Sequence, residues 1–136
     1  MKPVQINPAI QAALSFAQRV ALAYPVQQSI LFGSRARGDA HEESDADVAV
    51  ILKGSTGHFV HTKMAMDDIA YDILLDTGIR VQPLPVWEEQ WQQPEKYSNP
   101  RLLSNIASEG VVLKYGAIGV NTELHTYDRL SRYCGL

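Results

Sequence analysis

Two aspartates, Asp45 and Asp47, run directly into the unbroken apolar stretch Val48-Ala49-Val50-Ile51-Leu52. An apolar run of that length reads as a buried strand, so the two acids stand at the rim of a rigid sheet. Side chains at i and i+2 of a strand share a face, so the two carboxylates stand side by side at its start while Ala46 and Val48 face the other way. Upstream, Ser29-Ile30-Leu31-Phe32 reads as a shorter buried strand that ends at Gly33-Ser34. A residue without a Cβ there lets backbone N–H groups approach a phosphate closely, and the Ser34 hydroxyl adds a donor. Two hard oxygen ligands on one face suit Mg²⁺, which keeps waters and completes its shell from substrate phosphates.

Either half alone is unremarkable chemistry. Gly-Ser is a common turn dipeptide, and Asp-x-Asp at a strand start often only solvates a loop. In this order, ten residues apart and separated by Arg35-Ala36-Arg37-Gly38 and a polar loop, they form one pattern. It resembles the G-S-x10-D-x-D signature of the nucleotidyltransferase superfamily that includes DNA polymerase β, in particular its minimal MNT-type members, which act as antitoxins paired with HEPN-domain toxins. The resemblance covers Asn7 to about Tyr115, with the motif confined to Gly33–Asp47. It implies an α+β fold of α/β-type layers, a small mixed sheet packed by helices. It also implies a Mg²⁺-dependent enzyme that transfers AMP from ATP to a hydroxyl. Gly33 and Ser34 would hold the β- and γ-phosphates, and Asp45 and Asp47 the metal. Arg37 is a phosphate clamp by its bidentate fork, or else a salt-bridge partner of Asp39 or Glu43.

One departure from the family pattern concerns the third carboxylate, which members active in transfer usually carry on the strand after the second helix. Here that strand reads Gly78-Ile79-Arg80-Val81-Gln82-Pro83, with Arg80 and Gln82 where an acid would be sought. Asp72 and Asp76, on the preceding helix, read as solvated surface residues. The chemistry survives without a third acid, because transfer of this kind depends mostly on positioning and charge neutralisation.

The chain has 136 residues, 46% hydrophobic and 20% charged, which fits one globular core. The expected division is a minimal nucleotidyltransferase domain over residues 1–116 and a tail over 117–136 that docks a partner or frays. Net charge is −3 and the basic residues form no run, so no direct nucleic-acid binding is expected. No stretch approaches the roughly 20 apolar residues of a membrane span, the single Cys134 cannot form an internal disulfide, and no signal-peptide pattern is present; a cytoplasmic protein is expected.

Along the chain the elements alternate. Asn7-Pro8 starts a helix that carries Ile10, Ala13, Leu14, Ala17, Val20, Ala21 and Tyr24 inward and stops before Pro25. The strands Ser29–Phe32 and Asp45–Leu52 follow, then a turn at residues 53–57. A second helix spans about Phe59 to Asp76 with Val60, Met64, Ile69, Ile73 and Leu74 inward, ending at Gly78. Ile79–Val86 is a third strand that Pro83 and Pro85 confine to an edge. Trp87 and Trp91 cover the core, and a last helix from Asn99-Pro100 carries Leu102, Leu103 and Ile106 inward up to Gly110, ahead of Val111–Tyr115. His58 and His61 lack a third nitrogen or sulfur ligand nearby and read as surface residues, as does His41-Glu42-Glu43.

Three functions fit this reading. The first is an antitoxin that transfers AMP to a tyrosine of a HEPN ribonuclease toxin in a hetero-oligomer. The second is a nucleotidyltransferase of antibiotics or other small molecules. The third is a non-catalytic antitoxin that neutralises its partner by binding alone.

Overall fold

A computed structural model of the chain describes residues 8–38 and 45–114. Helix α1 (Pro8–Ala23) leads into strand β1 (Val26–Phe32), a single helical turn α2 (Ser34–Arg37) and strand β2 (Ala46–Leu52). Helix α3 (Phe59–Thr77), strand β3 (Val81–Trp87), the short helix α4 (Glu88–Gln92), helix α5 (Pro100–Glu109) and strand β4 (Val111–Val112) complete it. The strands form one mixed sheet in the order β3-β2-β1-β4. β1 is antiparallel to β2 and β4, and β3 is parallel to β2. The fold class is therefore the expected α+β arrangement.

The helix ends follow their local chemistry. The Asn99 side chain accepts the Leu102 amide at 3.2 Å and Pro100 opens α5, so a lost donor is placed where none is needed. At the end of α3, Gly78 turns into the left-handed region and its amide closes on the Leu74 carbonyl at 2.8 Å. The edge position of β3 follows from Pro83 and Pro85: its only partner among the described residues is β2, and a proline has no N–H for a second neighbour.

Burial on both faces explains the apolar run of β2. Ala46, Val48, Val50 and Leu52 pack with Phe16, Ala17 and Val20 of α1 and Met66, Ala70 and Ile73 of α3. Ala49 and Ile51 face the opposite layer with Ile30, Val86, Leu103 and Ile106, and Trp91 closes over it. Trp87 belongs to the first layer and is buried there.

β1 starts three residues earlier than expected, at Val26, and β2 starts at Ala46, so Asp45 stands just ahead of the strand. In α1, Ala21 faces solvent, and Phe16, not singled out above, is fully buried. In α3 the register differs: Thr62, Met66, Ala70 and Ile73 form the buried face, while Val60 and Met64 are 65% and 63% exposed. The 117–136 tail and the Asp39–Ser44 segment, with His41, Glu42 and Glu43, lie outside the described residues.

Candidate functional site

The antiparallel register of β1 and β2 brings the two halves of the motif together. Phe32 sits opposite Asp47, so the next residue, Gly33, stands against the Asp47 carboxylate. A Cβ on Gly33 would collide with Asp47 Oδ2, and Gly33 has φ 78° and ψ −156°, a conformation open essentially to glycine alone. The Gly33 carbonyl then accepts the amides of Ala36 (3.0 Å) and Arg37 (3.1 Å), which folds residues 34–37 into α2, with Ser34 at its first position. Residues expected as part of the connection between the two strands thus form a helical turn.

Asp45 and Asp47 share the sheet face of Ala49 and Ile51, at the rim where that face opens. Asp47 is half-buried, and its pKa is raised first by that burial and then by the neighbouring Asp45 charge, against a lowering by Arg37. Asp45 is held from β3. The Gln82 amide donates to its Oδ2 at 3.1 Å, and the Arg80 guanidinium lies 3.9 Å from its Oδ1. In the parallel register Gln82 is level with Asp47. The two residues found where a third acid would be sought therefore orient the first aspartate.

Arg37 reaches across to α5 and pairs with Glu109 at 3.5 Å, while its charge still acts on Asp47. The alternative partners Asp39 and Glu43 lie outside the described residues. The contribution of Glu109 had no signal in the sequence, since an exposed glutamate at a helix end is ordinary. On the other side of β3, a cleft of about 400 Å³ opens between this strand and α3, lined by Asp67, Asp68, Tyr71, Leu74, Arg80 and Gln82.

The donor set fits a hard divalent cation. Two adjacent carboxylates supply anionic oxygens, their mutual repulsion is what a cation relieves, and the missing Gly33 side chain lets the Asp47 carboxylate lie directly against the turn. No group of three or more His, Cys, Asp or Glu side chains gathers among the described residues. The remaining ligands would thus come from water and substrate phosphate, the usual arrangement for Mg²⁺. His58 and His61 join no such group either.

The nucleotidyltransferase domain family matches residues 14–113, well over half of the chain, and the chain belongs to that family. Its class is that of enzymes that move a nucleotidyl group from a nucleoside triphosphate with a divalent metal. Among solved structures, a candidate nucleotidyltransferase from Sulfolobus solfataricus is similar at 20% identity and a TM-score of 0.49, over 82% of this chain and 90% of that one. No curated protein matches. Among the described residues, no helix is long and apolar enough to cross a membrane.

Proposed function

We propose that this domain transfers AMP from ATP to a tyrosine hydroxyl of a HEPN-domain toxin, with Mg²⁺ as its metal, and so acts as an antitoxin. The observation that carries the chemistry is the apposition of Gly33 to Asp47 with Asp45 alongside, a glycine turn set directly against paired carboxylates. The acceptor and the partner rest on the resemblance to the MNT-type members described above.

In this reading the Gly33 backbone and the Ser34 hydroxyl hold the β- and γ-phosphates. Asp45 and Asp47 would hold Mg²⁺, which would supply positive charge to offset that of the phosphates. Gln82 and Arg80 fix the Asp45 carboxylate, so its orientation is set before substrate arrives. The acceptor oxygen bonds to the α-phosphorus, the bond from that phosphorus to the pyrophosphate oxygen breaks, and pyrophosphate leaves. The hydroxyl proton passes to water or a phosphate oxygen, since β3 offers no carboxylate at the level of Asp47. Arg37, within electrostatic reach of Asp47, balances the negative charge of the departing group.

One observation favours a second reading. Asp45 is already engaged by an amide and a guanidinium, an arrangement that also suits a binding-only antitoxin. Incubating the full chain with α-labelled ATP, Mg²⁺ and the protein encoded beside it separates the two. Label on a tyrosine of the partner is expected. Tight association without label would establish the non-catalytic reading, and label on small acceptors such as aminoglycosides in place of the partner would establish an antibiotic-type enzyme.

A further inference from the structure

Helix α3 carries apolar residues on the side turned away from the sheet. Val60, Met64, Tyr71 and Leu75, spaced four, seven and four residues apart, are 65%, 63%, 57% and 65% exposed. At 3.6 residues per turn these positions fall on one stripe, opposite the buried Thr62, Met66, Ala70 and Ile73. A scattered exposed apolar side chain needs no explanation, but four in register along one helix form a surface of the kind that marks a protein contact.

The charge around the stripe indicates what covers it. The stripe is bordered by Asp67, Asp68 and Asp72, with Lys63 as the one Lys or Arg on this helix, beside His61. Lys63 is spent on Asp67 at 3.0 Å, and Asp68 and Asp72 have no ion-pair partner among the described residues. A contact that matches this surface has an apolar ridge flanked by Lys or Arg. The stripe also runs into the site. Tyr71 belongs both to it and to the cleft between α3 and β3, and the Arg80 and Gln82 that line that cleft are the residues that hold Asp45.

We infer that the outward face of α3 docks the acceptor protein through an amphipathic, Lys/Arg-flanked helix, with the cleft beside Tyr71 leading from that contact to Asp45. This rests on the protein-acceptor reading above and adds where the acceptor binds and by what chemistry. An apolar helix face laid on another supplies affinity, and the acidic border fixes its orientation.

The test uses the full chain and a synthetic amphipathic helix of about 18 residues, five turns, with a Leu face and Lys flanks. Its control has Glu in place of each Lys. Titration followed by NMR is expected to shift Val60, Met64, Tyr71 and Leu75 with the Lys peptide and not with the Glu peptide. The double variant Met64→Ser/Leu75→Ser should weaken binding about tenfold or more, as loss of central anchors does. Asp68→Asn/Asp72→Asn should weaken it and flatten its dependence on salt. Both variants change exposed positions and should keep the thermal midpoint and the ATP affinity of the wild type. Equal binding of both peptides, or shifts away from α3, would overturn the inference. A concentration-dependent dimer abolished by the serine variant would assign the face to a second copy instead. Methyl groups of Val60, Met64 and Leu75 shielded from a soluble paramagnetic agent in the free monomer would show that the chain covers the face itself. Peptide binding involves no transfer, so a chain that docks the peptide but binds no ATP would retain this inference and lose the proposed reaction.

Discussion

Gly33 and Asp47 compete for one volume: a side chain on the glycine would occupy the place of the Asp47 carboxylate. The relationship is fixed by the pairing of Phe32 with Asp47, one residue before the turn. Motif spacing thereby becomes geometry, because the antiparallel pairing of β1 with β2 is what makes the turn and the carboxylates meet.

Gly33→Ala should accordingly fail twice. Its φ of 78° with ψ −156° costs a residue with a side chain on the order of 1–3 kcal/mol, and the new methyl displaces Asp47. A lowered thermal midpoint together with loss of ATP binding by calorimetry is the expected result. An unchanged ATP affinity would remove Gly33 from the phosphate site.

Asp47 gives a pH signature. Its folded pKa is raised above 3.8 by burial and by Asp45, so the native state binds the proton more tightly than the unfolded chain. Its contribution to stability is then fully present below pH 3.8 and is lost as pH rises through the raised folded value. At neutral pH and without metal, Asp47→Asn should melt at or above the wild-type temperature, with the difference vanishing below pH 3.8. Mg²⁺ with ATP should raise the wild-type midpoint and leave the variant unmoved, while transfer is abolished in it. Thermal melts across pH with and without Mg²⁺ and ATP check both halves.

How much of this was legible in the sequence depends on the physics behind each feature. The special backbone of Gly33 and the common face of Asp45 and Asp47 were legible because strand alternation and the freedom of glycine are local rules. The same holds for Pro8, Gly78 and Asn99, whose capping chemistry acts within a single turn. The phase of α3 was not legible. Apolar residues occupy both of its sides, so periodicity supports either Met64 or Met66 as the inward one, and only the sheet decides for Met66. Nor could the sequence announce the pairs Arg37–Glu109 and Gln82–Asp45, since each joins residues brought together by sheet topology alone.

Glu89 makes a third such long-range contact. It accepts the Thr56 amide and hydroxyl, both at 3.0 Å, and the Lys96 ammonium at 3.1 Å, while Glu88 accepts the Gly54 amide. The Thr56 backbone bond, followed by Lys96 and the Thr56 hydroxyl, lowers the Glu89 pKa from 4.5 to about 2. A depressed carboxylate pKa stabilises above 4.5, and that contribution is lost as pH falls through about 2. Glu89→Ala should speed hydrogen exchange at the Thr56 amide near neutrality, an effect that shrinks in acid and in high salt. Equal exchange rates in variant and wild type would mean that the turn holds without it.

Ser29 offers a gain. Its hydroxyl is buried without a hydrogen-bond partner, while its carbonyl accepts the Leu113 amide at 2.8 Å. A buried unsatisfied polar group costs about 1–3 kcal/mol, so Ser29→Ala should leave stability unchanged or raise it. Denaturant unfolding checks this, and a clear loss of stability would mean that the hydroxyl is satisfied in solution.

Gln82 bears on the acceptor proton. It lies level with Asp47 and gives its amide to Asp45, so Gln82→Asp removes a donor from one carboxylate and adds a third beside the pair. Without metal the added repulsion should lower the thermal midpoint, and Mg²⁺ with ATP should restore it, since a cation then has three acids to neutralise. With an acid in reach of the attacking hydroxyl, transfer to the partner tyrosine should accelerate, up to the 10²–10⁴-fold or so that general-base assistance supplies. Gln82→Ala is the control, because it loses the same hydrogen bond and adds no acid; its rate should be no higher than that of the wild type. If Gln82→Asp and Gln82→Ala transfer AMP at the same rate, position 82 does not meet the acceptor hydroxyl and serves only to hold Asp45. A bell-shaped or acid-limited pH profile that appears in Gln82→Asp alone would identify the new carboxylate as the base.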